Sequence, residues 1–273
     1  MTSPDHRPPG TAGSADLPED LAALDDHVLA GHLATAAGTL LLDVRAALLD
    51  GTKPSEVRDD GDRRSHDLLM RLLHEARPDD AVLSEEGADD TERRLAATRV
   101  WIVDPLDGTR EFGEVERDDW AVHVALVEDG ELVAGAVALP AQGVTLSTAA
   151  PPALAECASP PRLVVSRTRP PAFTERVRDA VSGELVAMGS AGAKAMAVVL
   201  GAAEVYAHGG GQYEWDSAAP VAVAAAAGLH VSRMDGSALV YNQPNPYLPD
   251  VLVCHPSLAD DVLAAVANGP EPA

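Results

Sequence analysis

Between Leu17 and Leu49 the apolar residues Leu21, Leu24, Val28, Leu29, Leu33, Ala36, Leu40 and Leu41 recur at helical spacing, which predicts a long amphipathic helix. A polar stretch follows over residues 50–62 and reads as a loop, and a second helix starts at about Asp62 with Leu68, Leu69, Leu72 and Leu73 as its apolar face. Two short apolar runs, Ala81–Leu83 and Val100–Val103, read as strands, and each stops abruptly against acidic residues. The period then falls toward two over Trp120–Val127, Leu132–Leu139 and Val144–Thr148, as in a meander of antiparallel strands. Past the proline-rich segment 149–161, strands and helices alternate. Strands are predicted over Leu163–Ser166, Glu184–Met188, Val205–Ala207 and Val251–Cys254, and helices over Ala172–Ser182, Ala191–Leu200, Ser217–Ala227 and Pro256–Ala267. The pattern predicts a disordered lead-in over residues 1–16, an α+β domain over 17–150 and an α/β domain over 162–273.

Composition narrows the function. With 43 Asp+Glu against 20 Lys+Arg the formal net charge is −23, and the chain lacks a basic run that would track a phosphate backbone. Nucleic-acid polymers and anionic membrane surfaces are therefore excluded as partners. The apolar stretch Ala218–Leu229 falls short of the roughly 20 residues that cross a bilayer, and Met1–Leu17 has no apolar signal-peptide core. Two cysteines, Cys157 and Cys254, make neither a disulfide framework nor a zinc cluster, so a cytoplasmic location is expected.

The acids are informative through their placement. Asp104 and Asp107 directly follow an apolar strand, in the segment DPLDGT (104–109). A carboxylate at a buried strand end costs several kcal/mol, on the order of 2–7, unless a cation or hydrogen bonds compensate it. Pro105 restricts the loop, so Asp104, the Leu106 carbonyl and Asp107 can converge on one hard cation such as Mg²⁺. Gly108 and Thr109 then open a helix whose N–H groups favour an anion. Glu85 follows the strand Ala81–Leu83 in the same way, and Asp216 precedes the helix Ser217–Ala227. Singly, each has a plainer reading: Asp216 as a helix N-cap, Glu85 with Glu86 as a solvated turn, Asp104 with Pro105 as a turn start. Three independent turns do not account for all of them together.

These residues carry a resemblance. The run Trp101-Ile102-Val103-Asp104-Pro105-Leu106-Asp107-Gly108-Thr109-Arg110-Glu111-Phe112, the run Glu214-Trp215-Asp216-Ser217-Ala218-Ala219, and the element Val82-Leu83-Ser84-Glu85-Glu86 are similar to the signatures of the inositol-monophosphatase-like, Mg²⁺-dependent, lithium-sensitive phosphatases. Within them the chain most resembles the CysQ-type 3'(2'),5'-bisphosphate nucleotidases, through Leu106 and the Arg110-Glu111-Phe112 continuation. The likeness extends over roughly Leu17 to Ala267.

The resemblance implies the sugar-phosphatase fold, a layered α/β/α/β/α sandwich. It implies two or three Mg²⁺ ions, one held by Glu85, Asp104 and the Leu106 carbonyl and another by Asp104, Asp107 and Asp216. Thr109 and Asp62, with Glu85, would be the catalytic groups, Thr109 orienting the attacking water with Asp62 as its acidic partner. The family usually has Thr three residues before that aspartate, where this chain has Asp59. Gly108, Thr109, Ser166, Arg167, Gly189, Ser190 and Lys194 would face the substrate, with Lys194 meeting a phosphate; alone, Lys194 also reads as a solvated helix lysine. The substrate implied is a small bisphosphorylated adenosine nucleotide, adenosine 3',5'-bisphosphate or its sulfated relative, cleaved to a 5'-nucleotide and phosphate in sulfate assimilation. Inositol-1-phosphate and fructose-1,6-bisphosphate stay open on the same metal site, as do a non-catalytic metal- or phosphate-binding regulator and a homodimer.

Overall fold

The structure, a computed structural model, describes residues 20–267; the lead-in expected over 1–16 lies outside them. The Asp25 carboxylate accepts a hydrogen bond from Val28 N (3.0 Å) and starts helix α1 (Asp26–Arg45), which buries Leu29, Leu33, Ala37 and Leu41 along one face. Helix α2 (Pro54–Ala76) begins about two turns earlier than the polar stretch suggested. Pro54 suits a first turn, and the polar residues are its solvent side, where Asp60 pairs with Arg63 and Arg64. Val57, Gly61, Ser65, Leu69, Leu72 and Leu73 form the buried stripe. Asp62 therefore lies within the helix and not at its start.

The first sheet runs β1 (Ala81–Ser84), β2 (Arg99–Asp107), β3 (Ala121–Glu128), β4 (Glu131–Leu139), β5 (Val144–Ser147), in chain order. The pair β1–β2 is parallel, joined through the short helix α3 (Thr91–Ala96), and the remaining pairs are antiparallel. A four-residue helix, α4 (Thr109–Phe112), follows β2. The second sheet has the order β7 (Glu184–Met188), β6 (Arg162–Ser166), β8 (Val205–Tyr213), β10 (Tyr247–Cys254), β9 (His230–Ser232). Its β7–β6 and β6–β8 pairs are parallel, whereas β8–β10 and β10–β9 are antiparallel, so this half is mixed. Helices α5 (Thr174–Val181), α6 (Ala191–Val199), α7 (Glu214–Ala226) and α8 (Ala259–Ala267) complete the second half.

Three apolar cores define five layers. One lies between α1/α2 and the first sheet, with Leu33, Leu69, Trp101 and Val124. The middle core holds α6 and α7 between the sheets, joining Ile102 and Val137 to Met196, Val223, Tyr206 and Val253. The third places α5 and α8 outside the second sheet, with Leu163, Val177, Leu252 and Val262. This is the α/β/α/β/α sandwich. Strand β2 is covered on both faces, Val100 and Ile102 toward the middle core and Trp101 and Val103 toward α1/α2, which is why it reads as an unbroken apolar run. Each fully buried leucine or valine contributes about 2 kcal/mol to this packing.

The segment Asp26–Leu48 is long and apolar enough to cross a membrane by length and composition, beyond what the pattern Ala218–Leu229 suggested. In the fold it is α1 with its 3-10 extension, lying across β3, β4 and β5.

Candidate active site

The site forms where β2 runs out. Asp104 pairs in register with His123 and Asp107 with Ala121, with a slip in the ladder between them. Pro105 has no N–H to offer the ladder, so the strand bulges there. The Asp104 carboxylate accepts from Leu106 N (3.0 Å), and Ser65 of α2 donates to the Pro105 carbonyl (2.7 Å). Gly108 then adopts φ +83°, a conformation that a side chain resists, and Thr109 begins α4. The Thr109 hydroxyl lies 3.1 Å from the Leu106 carbonyl and 3.4 Å from an Asp62 oxygen. Gly61 makes this meeting possible: a Cβ there would press on Phe112 and Leu106, so α2 comes close only without one.

Asp216 joins from the other half. It lies inside the first turn of α7, which starts at Glu214 and not at Ser217, and accepts from Tyr213 N (2.6 Å). Glu214 anchors that turn by accepting from Asn242 N (2.6 Å) and Gln243 N (2.8 Å). One carboxylate oxygen from each of Asp104, Asp107 and Asp216 lies within 4.8 Å of the others. Glu85, at the solvent-facing end of β1 with its N–H on the Val103 carbonyl (3.3 Å), acts by its charge on Asp104 and Asp216. Sequence and structure thus bring Glu85, Asp104, Asp107, Asp216, Thr109 and Asp62 to one place.

Crowded acids hold protons. Burial, with the charges of Glu85, Asp107 and Asp216, raises the Asp104 carboxyl well above its ordinary range. Desolvation and the Asp216 charge push Glu85 up to about 7. Desolvation and the Glu86 charge push Asp62 up to about 7 against the Thr109 hydrogen bond, and burial beside Asp107 takes Asp216 to about 6. Asp107 goes the other way. Burial disfavours its charge, but His123 at 3.4 Å, the Ser190 hydroxyl and the Gly192 N–H (2.6 Å) outweigh that and hold it ionised. His123 is raised in turn: burial opposes its charge, and Asp107 with the Trp215 carbonyl (2.9 Å) prevails.

The donor set is all oxygen, buried and anionic. Among the described residues no Lys or Arg pairs with Asp104, Asp107 or Asp216; His123 is their basic neighbour. Like charges gathered without a cationic side chain fit a hard divalent cation.

The residues expected to face a substrate are distributed around this cluster. Ser190 donates to Asp107, and Gly189 N donates to Asp119 (2.5 Å). Arg167, just past β6, donates to Glu111 (2.6 Å) and Glu114 (2.7 Å), tying the second half to α4 and the segment after it. Ser166 Oγ accepts from Arg169 N (3.2 Å). Lys194 is buried in α6, donating to the carbonyls of Gly189 (2.8 Å) and Ser190, which removes the solvated-lysine reading. Sequence reasoning missed His123 and Asp119. A lone histidine inside the apolar strand AVHVALV was the available signal, since a polar group there needs a partner.

A five-layer sandwich carrying a carboxylate cluster at the end of a central strand defines a metal-dependent class of protein. The chain belongs to the inositol monophosphatase family, whose model matches residues 26–269. It is 49% identical over 93% of its length to the 3'-phosphoadenosine 5'-phosphate phosphatase of Mycobacterium leprae, of which it covers 97%. It is 35% identical to the 3'(2'),5'-bisphosphate nucleotidase CysQ of Escherichia coli, over 80% of this chain and 94% of that one. Among solved structures, CysQ from Bacteroides thetaiotaomicron aligns with a TM-score of 0.67 at 27% identity, over 82% of this chain and 94% of that one. Inositol monophosphatase-II of Staphylococcus aureus shares the fold, with a TM-score of 0.69 at 21% identity over 85% and 89% of the two chains.

Proposed function

We propose that this chain is a Mg²⁺-dependent phosphatase that removes the 3'-phosphate of adenosine 3',5'-bisphosphate, releasing AMP and inorganic phosphate. The observation that carries the reading is the convergence of Asp104, Asp107 and Asp216 within 4.8 Å beside the Thr109–Asp62 pair. The nucleotide is supported by the named activity of the relative at 49% identity.

Glu85, Asp104 and the Leu106 carbonyl would hold one Mg²⁺, and Asp104, Asp107 and Asp216 a second; a third ion belongs to the same proposal. Bound there, Mg²⁺ supplies charge neutralisation and Lewis-acid polarisation of the phosphoryl oxygens. Thr109 Oγ1 and Asp62 align the attacking water, and Asp62, with its carboxyl near 7, takes the proton that water loses. The new P–O bond forms to water as the bond from phosphorus to the ribose 3'-oxygen breaks; the 3'-oxygen takes up a proton from solvent and Asp62 returns its own to solvent, so AMP and phosphate leave with the proton count balanced. Gly108, Ser166, Arg167, Gly189 and Ser190 are assigned to the walls of the substrate site. A cytoplasmic location fits the two free cysteines, Cys157 and Cys254.

The test is phosphate release with Mg²⁺ from adenosine 3',5'-bisphosphate, inositol-1-phosphate and fructose-1,6-bisphosphate in parallel. The nucleotide is expected to give the highest kcat/KM by tenfold or more. A higher value on either sugar phosphate overturns the substrate assignment. Metal binding without release from any of the three points to a regulator.

A further inference from the structure

Arg94, in the last turn of α3, is 1% exposed. A buried guanidinium is costly unless its N–H groups find partners, so the partners it has are informative. Nε and one Nη donate to the Asp89 carboxylate (2.9 and 2.8 Å). The other Nη reaches into the second half of the chain, donating to Asn242 Oδ1 (2.6 Å) and to the Gln243 carbonyl (3.0 Å). Charge balance does not require that reach, because Asp89 already forms the ion pair.

The same two residues are gripped from the other side. Asn242 N and Gln243 N donate to the two oxygens of Glu214 (2.6 and 2.8 Å), itself 1% exposed, and Glu214 N donates to the Pro246 carbonyl (2.8 Å). Asn242 holds φ +60°, a left-handed conformation that asparagine tolerates better than most side chains. Its N–H thereby serves Glu214 while its Oδ1 serves Arg94. The Tyr241 hydroxyl, 3.2 Å from Ser217 Oγ, fastens the loop to α7 once more. A buried cation and a buried anion therefore hold residues 242 and 243 between them.

This strap joins two parts of the metal cluster. In the chain, α3 lies between β1, which leads to Glu85, and β2, which carries Asp104 and Asp107, whereas Glu214 opens the turn of α7 that carries Asp216. Asp216 is the carboxylate supplied by the second half. Its hydrogen bond goes to Tyr213 N beside its own turn, and among the described residues no ion pair ties it to the first half. Apolar packing holds α7 in the middle core, but such contacts are non-directional and do not by themselves aim its first turn.

We propose that Arg94 is a positioning residue: through Asn242, Gln243 and Glu214 it fixes the first turn of α7 to the first half of the molecule, and so sets where the Asp216 carboxylate stands relative to Asp104 and Asp107. The inference rests on the reading of these carboxylates as metal ligands. It adds a dependence of metal affinity on a residue outside the cluster.

The test is isothermal titration of the metal-free full chain with Mn²⁺, beside the Mg²⁺ dependence of phosphate release. Arg94→Met is expected to weaken Mn²⁺ binding tenfold or more and to raise the half-activating Mg²⁺ concentration by a similar factor. KM for adenosine 3',5'-bisphosphate at saturating Mg²⁺ should change less than threefold. Asn242→Gly suits the left-handed φ and removes only the Oδ1 acceptor, so it serves if Arg94→Met does not fold. It should weaken Mn²⁺ binding at least threefold. In an Asp216→Asn background the same Asn242→Gly change should alter Mn²⁺ affinity less than twofold, because the carboxylate it acts through is gone. Equal losses in the two backgrounds overturn the proposal and leave Arg94 a stabilising residue only. Unchanged Mn²⁺ affinity in Asn242→Gly overturns it as well. A wild-type chain that binds no Mn²⁺ overturns the metal reading beneath the proposal, a result distinct from the other two.

Discussion

Asp104→Asn should make the metal-free protein more stable and the metal-dependent protein inactive. Asp104 is fully buried, and its oxygen lies within 4.8 Å of those of Asp107 and Asp216, so at an effective dielectric of 20 each ionised pair repels by about 3.5 kcal/mol. Asparagine has the same shape and retains an oxygen to accept from Leu106 N, so the bulge at Pro105 keeps its hydrogen bond. Partial protonation of Asp104 already relieves part of the repulsion, leaving a gain of about 2 kcal/mol, or on the order of 4–8 °C in Tm. The wild-type protein should gain about 2.7 kcal/mol from Mg²⁺ at a hundred times its Kd, and the variant should gain almost nothing. Differential scanning calorimetry with EDTA and with Mg²⁺ measures both arms, and phosphate release should fall at least a thousandfold, a loss of about 4 kcal/mol. A variant that melts below wild type in EDTA, or keeps the Mg²⁺-induced shift, refutes the argument that these carboxylates are held together against their own repulsion.

Because Asp62 and Glu85 titrate near 7 and Asp216 near 6 in the folded chain, above the ordinary carboxylate range, the metal-free fold binds protons that the unfolded chain has released. Its stability should be fullest below about pH 4 for these groups and should decline up to about pH 7; a Tm in EDTA that climbs over that window contradicts the shifts. Thr109→Ala removes the hydroxyl beside Asp62 and should lower kcat by about a hundredfold or more while leaving Mn²⁺ affinity within threefold, as calorimetry and kinetics would show. Gly192→Ala places a Cβ against the buried His123 ring and should destabilise the fold by about 1–3 kcal/mol, read from urea midpoints; an unchanged midpoint would mean that α6 moves freely against β3.

The sequence by itself carried the elements, the acids at the strand ends and a family resemblance; the layered class came through that resemblance and not through the pattern of elements. Apolar periodicity located α1, most of the strands and the alternation of the second half, because a buried face imposes its period on the residues that fill it. The abrupt stop of VWIV at DPLDGT announced a buried strand ending in carboxylates, since such a run followed by acids has few other uses. Polar stretches misled where their burial was one-sided: residues 54–62 read as loop because the inward stripe there is Val57 and Gly61, too sparse to show a period. Strand β9, only three residues long, and the proline-bearing start of β10 gave no period to detect. Tertiary structure alone decided that Gly61 admits α2 to Thr109, that His123 stands beside Asp107, and that Arg167 spends its guanidinium on Glu111 and Glu114. It also decided that Lys194 lies under the turn before α6, a place fixed by contacts between segments far apart in the chain. A sequence states which residue occupies a position and whether its neighbours want burial. Only the packed chain determines which charge, carbonyl or ring is put opposite it.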